Sequence, residues 1–456
     1  MGRTILYRTI WRWHFYAGVF VVPMVLFLAV TGATFLFKPQ LDRWEERAFT
    51  GFPTAGTVSP GDQAKAALAA YPGARFHSYR LPRDESEAAL VHLALPPGKA
   101  MLDVFVSPQG KVVGVLDSRS RITQVVQDLH GTLLLGHRGS WLVELAASWA
   151  IVMILTGLYL WWPAGRGMAG VLWPRLGRGS RALWRDLHAV TGFWVSSLAL
   201  VLLITGLPWA DAWGSMFKAV RTELGWVKGK QDWTIGGRPA DAGEHAEHDH
   251  ASMMAGGAAM PMGAHVMPDG TVMAATPVSL GEIVARAKSE RLEFPVIVSP
   301  PGKSPGWSVK SETQDRPRRV TITYDAMTGS EVSRETFADK HVIDRVVGYG
   351  TAWHEGALFG WVNQLIGLAT ALMLVTLSVS GFVLWRRRKP QGRLGAPPPL
   401  AEPSMPRGWG FRLTLLLLLA LLPLFTLSLL AVVLVERLVL PRLPRLAQWL
   451  GLARAA

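Results

Sequence analysis

The sequence predicts a membrane α-helical bundle that arose by internal duplication, with two small extracytoplasmic α+β modules and one extra C-terminal helix. Three observations lead to this fold class. Half of the 456 residues are hydrophobic, and 20 are tryptophan. Five apolar runs have the length of a spanning helix, which is ~20 residues. The same histidine, glycine and tryptophan spacings also occur twice along the chain.

The five apolar runs define the predicted spanning helices, because each is close to the length that crosses a ~30 Å hydrocarbon core. They extend from Phe15 to Phe37, Trp141 to Trp162, Ala189 to Trp209, Leu358 to Trp385 and Leu413 to Val435. The predicted division of the chain is helix 1 at 1–37, an outer module at 38–129, helix 2 at 130–163, a cytoplasmic loop at 164–186, helix 3 at 187–210, a second outer module at 211–353, helix 4 at 354–386, a linker at 387–411, helix 5 at 412–438 and a tail at 439–456.

The formal net charge of +14 is a topology signal and does not indicate nucleic-acid binding, since the basic residues cluster beside the apolar runs. These clusters are Arg3, Arg8 and Arg12; Arg166, Arg175, Arg178, Arg181 and Arg185; and Arg386, Arg387, Arg388 and Lys389. The positive-inside rule predicts a cytoplasmic N-terminus and periplasmic modules in a bacterial inner membrane. A fifth helix that runs outward would leave Arg437, Arg442, Arg445 and Arg454 outside, against the rule.

The chain has no cysteine. This excludes disulfides, iron–sulfur clusters, thiolate zinc sites and haem attached through a C-x-x-C-H motif. The G-x-G-x-x-G pattern at Gly165, Gly167 and Gly170 follows a spanning helix and not a strand, so it does not indicate a dinucleotide site. Any redox centre therefore needs other ligands, and its electrons must come from a separate donor, either quinol or a cytoplasmic reductase.

An internal repeat relates the two halves of the chain. The first and third runs share a histidine followed by Gly and Thr-Gly at offsets of 4 and 17 residues. These are His14, Gly18 and Thr31-Gly32 in one half, and His188, Gly192 and Thr205-Gly206 in the other. The second and fourth runs share offsets of 6, 27 and 31 residues, through His130, Gly136, Gly157 and Trp161 and through His354, Gly360, Gly381 and Trp385.

The two outer segments also resemble each other, because each predicts a short helix and four short strands. The helices are Ser59 to Ala70 and Ser279 to Ala287. The strands are Ala74 to Tyr79, Ala89 to Leu95, Met101 to Val106 and Lys111 to Leu116 in the first module, and Val296 to Val298, Trp307 to Val309, Val320 to Tyr324 and Glu331 to Ser333 in the second.

Four histidines occupy the duplicated positions. His14 and His188 begin helices that leave the cytoplasm, so they share a depth on the inner side. His130 and His354 precede helices that return, so they share a depth on the outer side. Ionisable side chains in a membrane usually have a partner or a task. Two pairs of neutral imidazoles predict two haems b with bis-histidine ligation, which favours electron transfer over oxygen binding.

Other residues extend these predicted sites. Four glycines, one or two turns from the ligands, leave room for a macrocycle or for ordinary helix packing. They are Gly18, Gly192, Gly136 and Gly360. His137 is a second choice for His130. One continuous helix from His130 to Trp161 would be about 46 Å long at ~1.5 Å per residue, which predicts an outer haem at or above the headgroups.

A His- and Met-rich segment at 244–267 interrupts the second outer module. It carries His245, His248, His250, Met253, Met254, Met260, Met262, His265 and Met267. Imidazole and thioether ligands together suit copper, so a copper-binding loop is one interpretation. The Gly and Ala content equally fits a flexible insertion without a function of its own.

Several motifs resemble the PepSY-associated transmembrane family. They are Leu129-His130-Gly131, Leu133 to Gly136, Thr156 to Pro163 and Trp184 to His188, and the resemblance covers roughly residues 5 to 390. That family includes iron-regulated membrane proteins and periplasmic ferric-siderophore reductases with haem in a four-helix core. The resemblance implies reduction of a chelated ferric ion outside the cytoplasm, with His14, His188, His130 and His354 as haem ligands.

The expected function is therefore a two-haem membrane reductase whose acceptor is a periplasmic metal chelate, most readily a ferric siderophore. A cupric reductase that uses the His/Met segment is an alternative within the same chemistry. PepSY modules are also compatible with a non-enzymatic regulator of an envelope protease, which would contain no haem. A metal permease, the third alternative, would transport without an electron donor.

Overall fold

The computed structural model describes residues 2–95, 101–162, 169–177, 179–227, 234–239, 265–266, 272–273, 277–302, 306–397 and 408–452. The predicted copper loop at 244–267 lies outside the described residues, apart from the two-residue strand His265–Val266. Copper binding by this loop stays a prediction.

The helices are α1 (Gly2–Phe35), α2 (Lys38–Glu45), α3 (Pro60–Ala70), α4 (Ile122–Thr132), α5 (His137–Trp161), α6 (Gly179–Gly206), α7 (Asp211–Glu223), α8 (Leu280–Ser289), α9 (Val342–His354), α10 (Trp361–Arg388), α11 (Trp409–Leu421), α12 (Pro423–Leu434) and α13 (Pro444–Leu450). Short 3₁₀ turns occupy Glu46–Phe49, Leu207–Trp209, Arg316–Arg318, Phe337–Asp339 and Leu440–Arg442, and a π-helical turn occupies Val435–Val439.

The strands are β1 (Arg75–Arg80), β2 (Ala89–Ala94), β3 (Leu102–Val106), β4 (Val112–Asp117), β5 (Thr234–Ile235), β6 (Arg238–Pro239), β7 (His265–Val266), β8 (Val272–Met273), β9 (Val296–Ser299), β10 (Trp307–Ser311), β11 (Val320–Tyr324) and β12 (Glu331–Thr336).

Four long helices form a closed bundle. α1 packs against α5 and α10, and α6 packs against the same two helices. Small residues such as Ala17, Ala199 and Ala371 are buried there and allow close helix contact. Five segments are long and apolar enough to cross a membrane, which confirms the predicted number; they are Leu6–Phe35, His137–Trp161, Ser180–Trp209, Trp361–Arg388 and Pro423–Arg442.

The predicted spanning helix 2 is in fact two helices. His130 belongs to α4, and α5 begins only at His137. Between them the chain turns through Leu133, Leu134 and Gly136, whose φ angles are 52°, 59° and 58°. Positive φ angles at leucine are uncommon, so this turn is specified by the packing around it. The second half repeats the arrangement, because His354 ends α9 and α10 begins at Trp361.

These interruptions place His130 and His354 on helices separate from α5 and α10. His130 Nδ1 lies 3.0 Å from Thr31 Oγ1, and Thr31 lies inside the span Leu6–Phe35. The expected position of an outer haem, at or above the headgroups, assumed one continuous helix from His130 as far as Trp161, whereas α4 is a separate helix that packs against α1. The depth of this haem in the membrane stays a prediction.

The C-terminal apolar segment is a helical hairpin and not a single outward crossing. α11 and α12 meet at Leu422, whose φ and ψ angles of −123° and 85° break the helix before Pro423. At this turn the indole of Trp213, on α7, donates to the carbonyl of Leu421 over 3.0 Å. Phe411, near the start of α11, contacts Trp13 of α1 with ring centres 5.8 Å apart.

Both ends of this hairpin lie at the basic end of the bundle. The Tyr16 hydroxyl donates to the Leu450 carbonyl over 2.6 Å, and the Leu394 amide donates to the Trp449 carbonyl over 2.9 Å. The turn at Leu422 returns the chain to the end of the bundle that carries the other basic clusters. The expectation that a fifth helix leaves Arg437, Arg442 and Arg445 at the opposite end is therefore wrong, and Arg454 lies outside the described residues.

The two outer modules share one antiparallel sheet. Its eight strands have the order β12-β11-β10-β9-β1-β2-β3-β4, so the module edges β9 and β1 pair with each other. Tyr79 lies opposite Val298, and the Leu81 amide donates to the Val296 carbonyl over 2.9 Å. The sequence predicted each half-sheet but not this junction, which removes two exposed edges at once.

One hydrophobic core extends under both halves of this sheet. Helices α3 and α8 cover it, through Ala67 and Ile283 among others. Val104 of β3 and Val309 of β10 belong to the same buried cluster. The two modules therefore form one continuous layer above the bundle.

The shared sheet predicts slow hydrogen exchange at the module junction. We expect the Leu81 amide to be protected as strongly as amides of the central strands, because its hydrogen bond crosses from one module to the other. Amides of β12, an exposed edge strand, should exchange much faster. Residue-resolved exchange in detergent measures this, and rapid exchange at Leu81 would show that the modules fold as separate sheets.

Candidate functional site

The structure brings the four duplicated histidines together in two pairs. The ring centres of His14 and His188 are 6.4 Å apart, with the rings 80° from parallel. Those of His130 and His354 are 6.3 Å apart, at 73°. The first pair joins α1 to α6, and the second joins α4 to α9. Each half of the duplication contributes one imidazole to each pair.

Each imidazole Nδ1 meets an acceptor on a neighbouring helix. The acceptors are Thr156 Oγ1 for His14 (3.0 Å), Thr31 Oγ1 for His130 (3.0 Å), Thr205 Oγ1 for His354 (3.2 Å) and the Leu377 carbonyl for His188 (3.1 Å), with Ser380 Oγ at 3.3 Å. The same contact is therefore made four times, once by each long helix of the bundle.

These contacts determine the tautomer of the rings. The Thr31 hydroxyl already donates to the carbonyl of Phe27 over 2.9 Å, and the other two threonines donate one turn back in the same way. A hydroxyl whose proton is used can only accept from the imidazole. Nδ1 therefore carries the proton, which leaves the Nε2 lone pair for a metal. Metal-binding histidines are usually fixed by such a second hydrogen bond.

A glycine follows each of these hydroxyl residues and lies against the ring. A Cβ added at Gly32 would lie 3.0 Å from Cε1 of His130. The corresponding distances are 3.2 Å for Gly157 and His14, 3.2 Å for Gly206 and His354, and 3.1 Å for Gly381 and His188. These contacts are tighter than ordinary van der Waals contact, so a side chain here would displace the imidazole.

The four glycines predicted to line the haems have other surroundings. A Cβ at Gly18 would lie 3.6 Å from Met153, an ordinary van der Waals distance, and one at Gly192 would lie closer, 3.3 Å from Leu377; neither contact involves a histidine. Gly136 and Gly360 precede α5 and α10 with φ angles of 58° and 57°, and no heavy atom of the described residues lies within 4 Å of their Cβ positions.

The functional candidates that the sequence missed are the Thr-Gly and Ser-Gly dipeptides. Two of these dipeptides, Thr31-Gly32 and Thr205-Gly206, mark the repeat in the sequence, but the sequence does not indicate their contacts. Their constant distance from the histidines was the available signal. His137, the second choice, is the first residue of α5, and its ring contacts Trp141 with centres 6.0 Å apart. The imidazole that faces His354 is His130.

An ionic network holds α4, and thus His130, to the first module. Arg121 precedes α4 and pairs with Glu46 at 2.5 Å, Glu45 at 3.3 Å and Asp103 at 3.3 Å. Arg80 of β1 binds the same Glu46 at 2.6 Å. Burial raises the pKa of the Glu46 carboxyl, but Arg80 and Arg121 outweigh it and bring this pKa below its usual range. The charged forms are therefore the stable ones here.

His92 belongs to the same network. Its Nδ1 lies 2.9 Å from Asp103 Oδ1, and its side chain is only 18% exposed. The antiparallel pairing of β2 with β3 places His92 opposite Asp103.

Different contacts hold α9, and thus His354, to the second half. Arg221 of α7 and Asp344 of α9 form an ion pair of 2.5 Å, with 1% and 4% of their side chains exposed. Arg316 lies 3.3 Å from Glu355, next to His354. The ring of Trp209 lies 5.4 Å from that of His354. The outer pair is therefore supported from both modules.

Each histidine pair offers two metal ligands. Within the described ranges, no group of three or more His, Asp or Glu side chains could hold a metal ion. A metal between the paired imidazoles would need its remaining ligands from another molecule, and a macrocycle supplies four such nitrogens. This donor set fits haem iron with two axial imidazoles.

Comparison with known families adds one match. The family model described as the PepSY-associated TM region matches residues 11–388 of the chain. This range contains all four paired histidines and their hydroxyl partners. No match was found among curated proteins.

The contact between Gly32 and His130 predicts a position-specific effect of adding a methyl group. Gly→Ala in a helix interior usually stabilises by up to about 1 kcal/mol. We expect Gly18→Ala to be neutral or stabilising and Gly32→Ala to destabilise by about 1–2 kcal/mol, since the imidazole must move. Unfolding midpoints in detergent measure both. Equal effects of the two substitutions would contradict the contact.

The Arg121 network predicts a pH-dependent stability of the first module. Because the Glu46 pKa is depressed in the fold, its contribution is complete above the ordinary value of about 4.3 and is lost as the pH falls through the folded pKa. We expect Glu46→Gln to destabilise by about 3 kcal/mol at pH 7, and the difference from the unsubstituted protein to shrink below pH 4.3. Melting temperatures of both proteins, measured from pH 7 to below pH 4.3, test this pH dependence. Glu85→Gln, a substitution of an exposed glutamate, is the control.

Proposed function

The chain belongs to the PepSY-associated transmembrane family, and on that premise we propose that it is a membrane-spanning oxidoreductase with two haems b. The inner haem is held by His14 and His188, and the outer haem by His130 and His354. The acceptor is a chelated metal outside the cytoplasm, most readily a ferric siderophore.

The spacing of the imidazoles carries this proposal. A metal ion bound between two imidazoles, with metal–nitrogen bonds of about 2 Å, would separate the two ring centres by about 6 Å. The observed separations of 6.4 and 6.3 Å match this span. The protonated Nδ1 of each ring leaves Nε2 for the metal, as derived above. Haem iron held by His14 and His188, or by His130 and His354, would supply one-electron transfer.

The protein residues set the conditions for this chemistry. The Thr and Ser-Gly contacts fix the orientation of each ring, and such outer partners also tune ligand basicity. His14 and Thr31, which holds His130, are 17 residues apart on α1, or about 25 Å at ~1.5 Å per residue. The two sites therefore lie toward opposite faces of a ~30 Å core.

The charge distribution supports an orientation. The basic clusters of the described residues now lie at one end of the bundle, including those after the C-terminal hairpin. The positive-inside rule makes this end cytoplasmic and the shared sheet periplasmic. A quinol or a cytoplasmic reductase is the electron donor at the His14 side, and the acceptor approaches from the sheet side.

A reduced-minus-oxidised spectrum of the purified protein tests the proposal. We expect b-type bands with two haems per chain. His14→Ala and His130→Ala should each remove about one haem, because each destroys one pair. In vesicles, reduced protein should be reoxidised by an impermeant ferric chelate, with formation of Fe(II) that a chromogenic chelator detects.

His137→Ala is the matched control, since it changes a nearby histidine that belongs to neither pair. It should retain both haems and the ferric-reductase rate. A colourless protein would contradict the proposal and favour the regulatory role. Metal transport in sealed vesicles without an electron donor would favour a permease.

A further inference from the structure

The duplication places an arginine, Arg345, on the helix of His354, and no described acidic side chain pairs with it. An offset of 224 residues relates His130 to His354, and the same offset relates Arg121 to Arg345. Arg121 is surrounded by carboxylates, as described above. Arg345 forms no ion pair with any described acidic side chain, and its buried Nε has no hydrogen-bond partner among those residues. Arg121 is thus neutralised by carboxylates, whereas Arg345 has no such partner in the part of the chain that the structure describes.

The loss of these carboxylates can be read from the sequence. The offset of 174 residues between His14 and His188 places Asp42, Glu45 and Glu46 at the positions of three uncharged residues. These are Met216, Ala219 and Val220 of α7. The second half therefore kept the arginine but lacks the acidic groups that surround it in the first half. A half-buried guanidinium favours an anionic partner, since burial without one is costly.

Arg345 lines a groove of about 320 Å³ on the second module. The groove lies between the 3₁₀ turns at Arg316–Arg318 and Phe337–Asp339 and helix α9. Arg318, Arg319, Phe337 and Tyr349 also line it. Arg318 is paired with Glu293 at 2.8 Å and Asp315 at 3.0 Å, and Arg319 donates to the Thr313 carbonyl over 2.7 Å. This volume is within the range of small-molecule sites, ~300–1,000 Å³.

The groove is close to the outer histidine pair. Tyr349 and His354 lie on the same helix, five residues apart, which is about 7.5 Å at ~1.5 Å per residue. Tyr349 is 49% exposed, so its ring is available to a ligand. A molecule in the groove would contact the helix that holds His354 without entering the bundle.

We propose that this groove binds the acceptor, and that it selects a chelate of net negative charge with carboxylate or catecholate oxygens. Guanidinium groups bind such planar oxygen pairs in a bidentate manner. The exposed Tyr349 ring favours a chelate with aromatic rings. The inference rests on the proposed function for the identity of the ligand, but binding itself requires no electron transfer.

Binding is measured first with a redox-inert probe. The full-length protein in phosphatidylcholine nanodiscs is titrated with a trianionic gallium(III) tris-catecholate complex. We expect Arg345→Gln to weaken binding at least about tenfold, as for loss of a charge-assisted contact. Arg345→Lys should restore part of the affinity. Arg119→Gln, the same substitution at an exposed site of the first module, should bind like the unsubstituted protein.

Turnover then separates charge selection from damage to the site. With the ferric tris-catecholate, Arg345→Gln should raise KM about tenfold and leave kcat and the spectrum unchanged. With the cationic acceptor hexaammineruthenium(III), KM should not rise. Equal losses for both acceptors would overturn the inference, because they would indicate a structural effect.

The two proposals fail in different ways. A protein without haem that still binds the gallium complex through Arg345 refutes the proposed function alone. If the protein contains haem but Arg345→Gln does not change its affinity for the gallium complex, the proposal that the groove binds the acceptor is wrong. Anionic lipid headgroups are the other source of such oxygens. If nanodiscs with phosphatidylglycerol abolish the effect of Arg345→Gln on binding, the groove is a lipid site and the inference is wrong.

Discussion

The arrangement of the bundle depends on one repeated contact, the hydrogen bond from a histidine Nδ1 to an acceptor on the adjacent helix. Each bond fixes a ring, a tautomer and the relative depth of two helices. A glycine beside the acceptor removes the side chain that would otherwise push the ring away. An unpaired imidazole proton in this apolar interior would be costly, so the four contacts are maintained together. The paired geometry of the rings follows from them.

The duplication explains why the pairs exist and also why the halves differ. Each pair takes one histidine from each half, so a single-half protein could form neither. The shared sheet joins the halves again above the bundle, through the β1–β9 edge. Differences accumulate at the modules: Arg121 is enclosed by carboxylates, whereas Arg345 faces a groove. The bundle thus kept the symmetric contacts, while the outer layer became asymmetric around His130 and His354.

Spacing alone was sufficient to find the four histidines, because duplicated polar residues in apolar runs are rare. It could not assign the hydroxyl partners. Thr31 lies on the same helix as His14 but contacts His130, which belongs to the other pair. Only the packing of the helices decides that Thr31 serves a histidine of a different helix. The break between α4 and α5 was missed because the turn at Leu133 and Leu134 has no glycine or proline at those two positions. The helical hairpin was missed because Pro423 lies within an otherwise continuous apolar run.

The sequence by itself determined the first four spans, the two-fold repeat, the module strands and the identity of the paired histidines. These features depend on local composition and on periodic spacing, which a linear chain records directly. The tertiary structure decided which hydroxyl faces which imidazole, that the outer histidines lie on helices separate from the spans that follow them, where the C-terminal hairpin turns and that the modules share one sheet. Each of these depends on contacts between segments far apart in the chain, whose energies arise only when helices and strand edges meet.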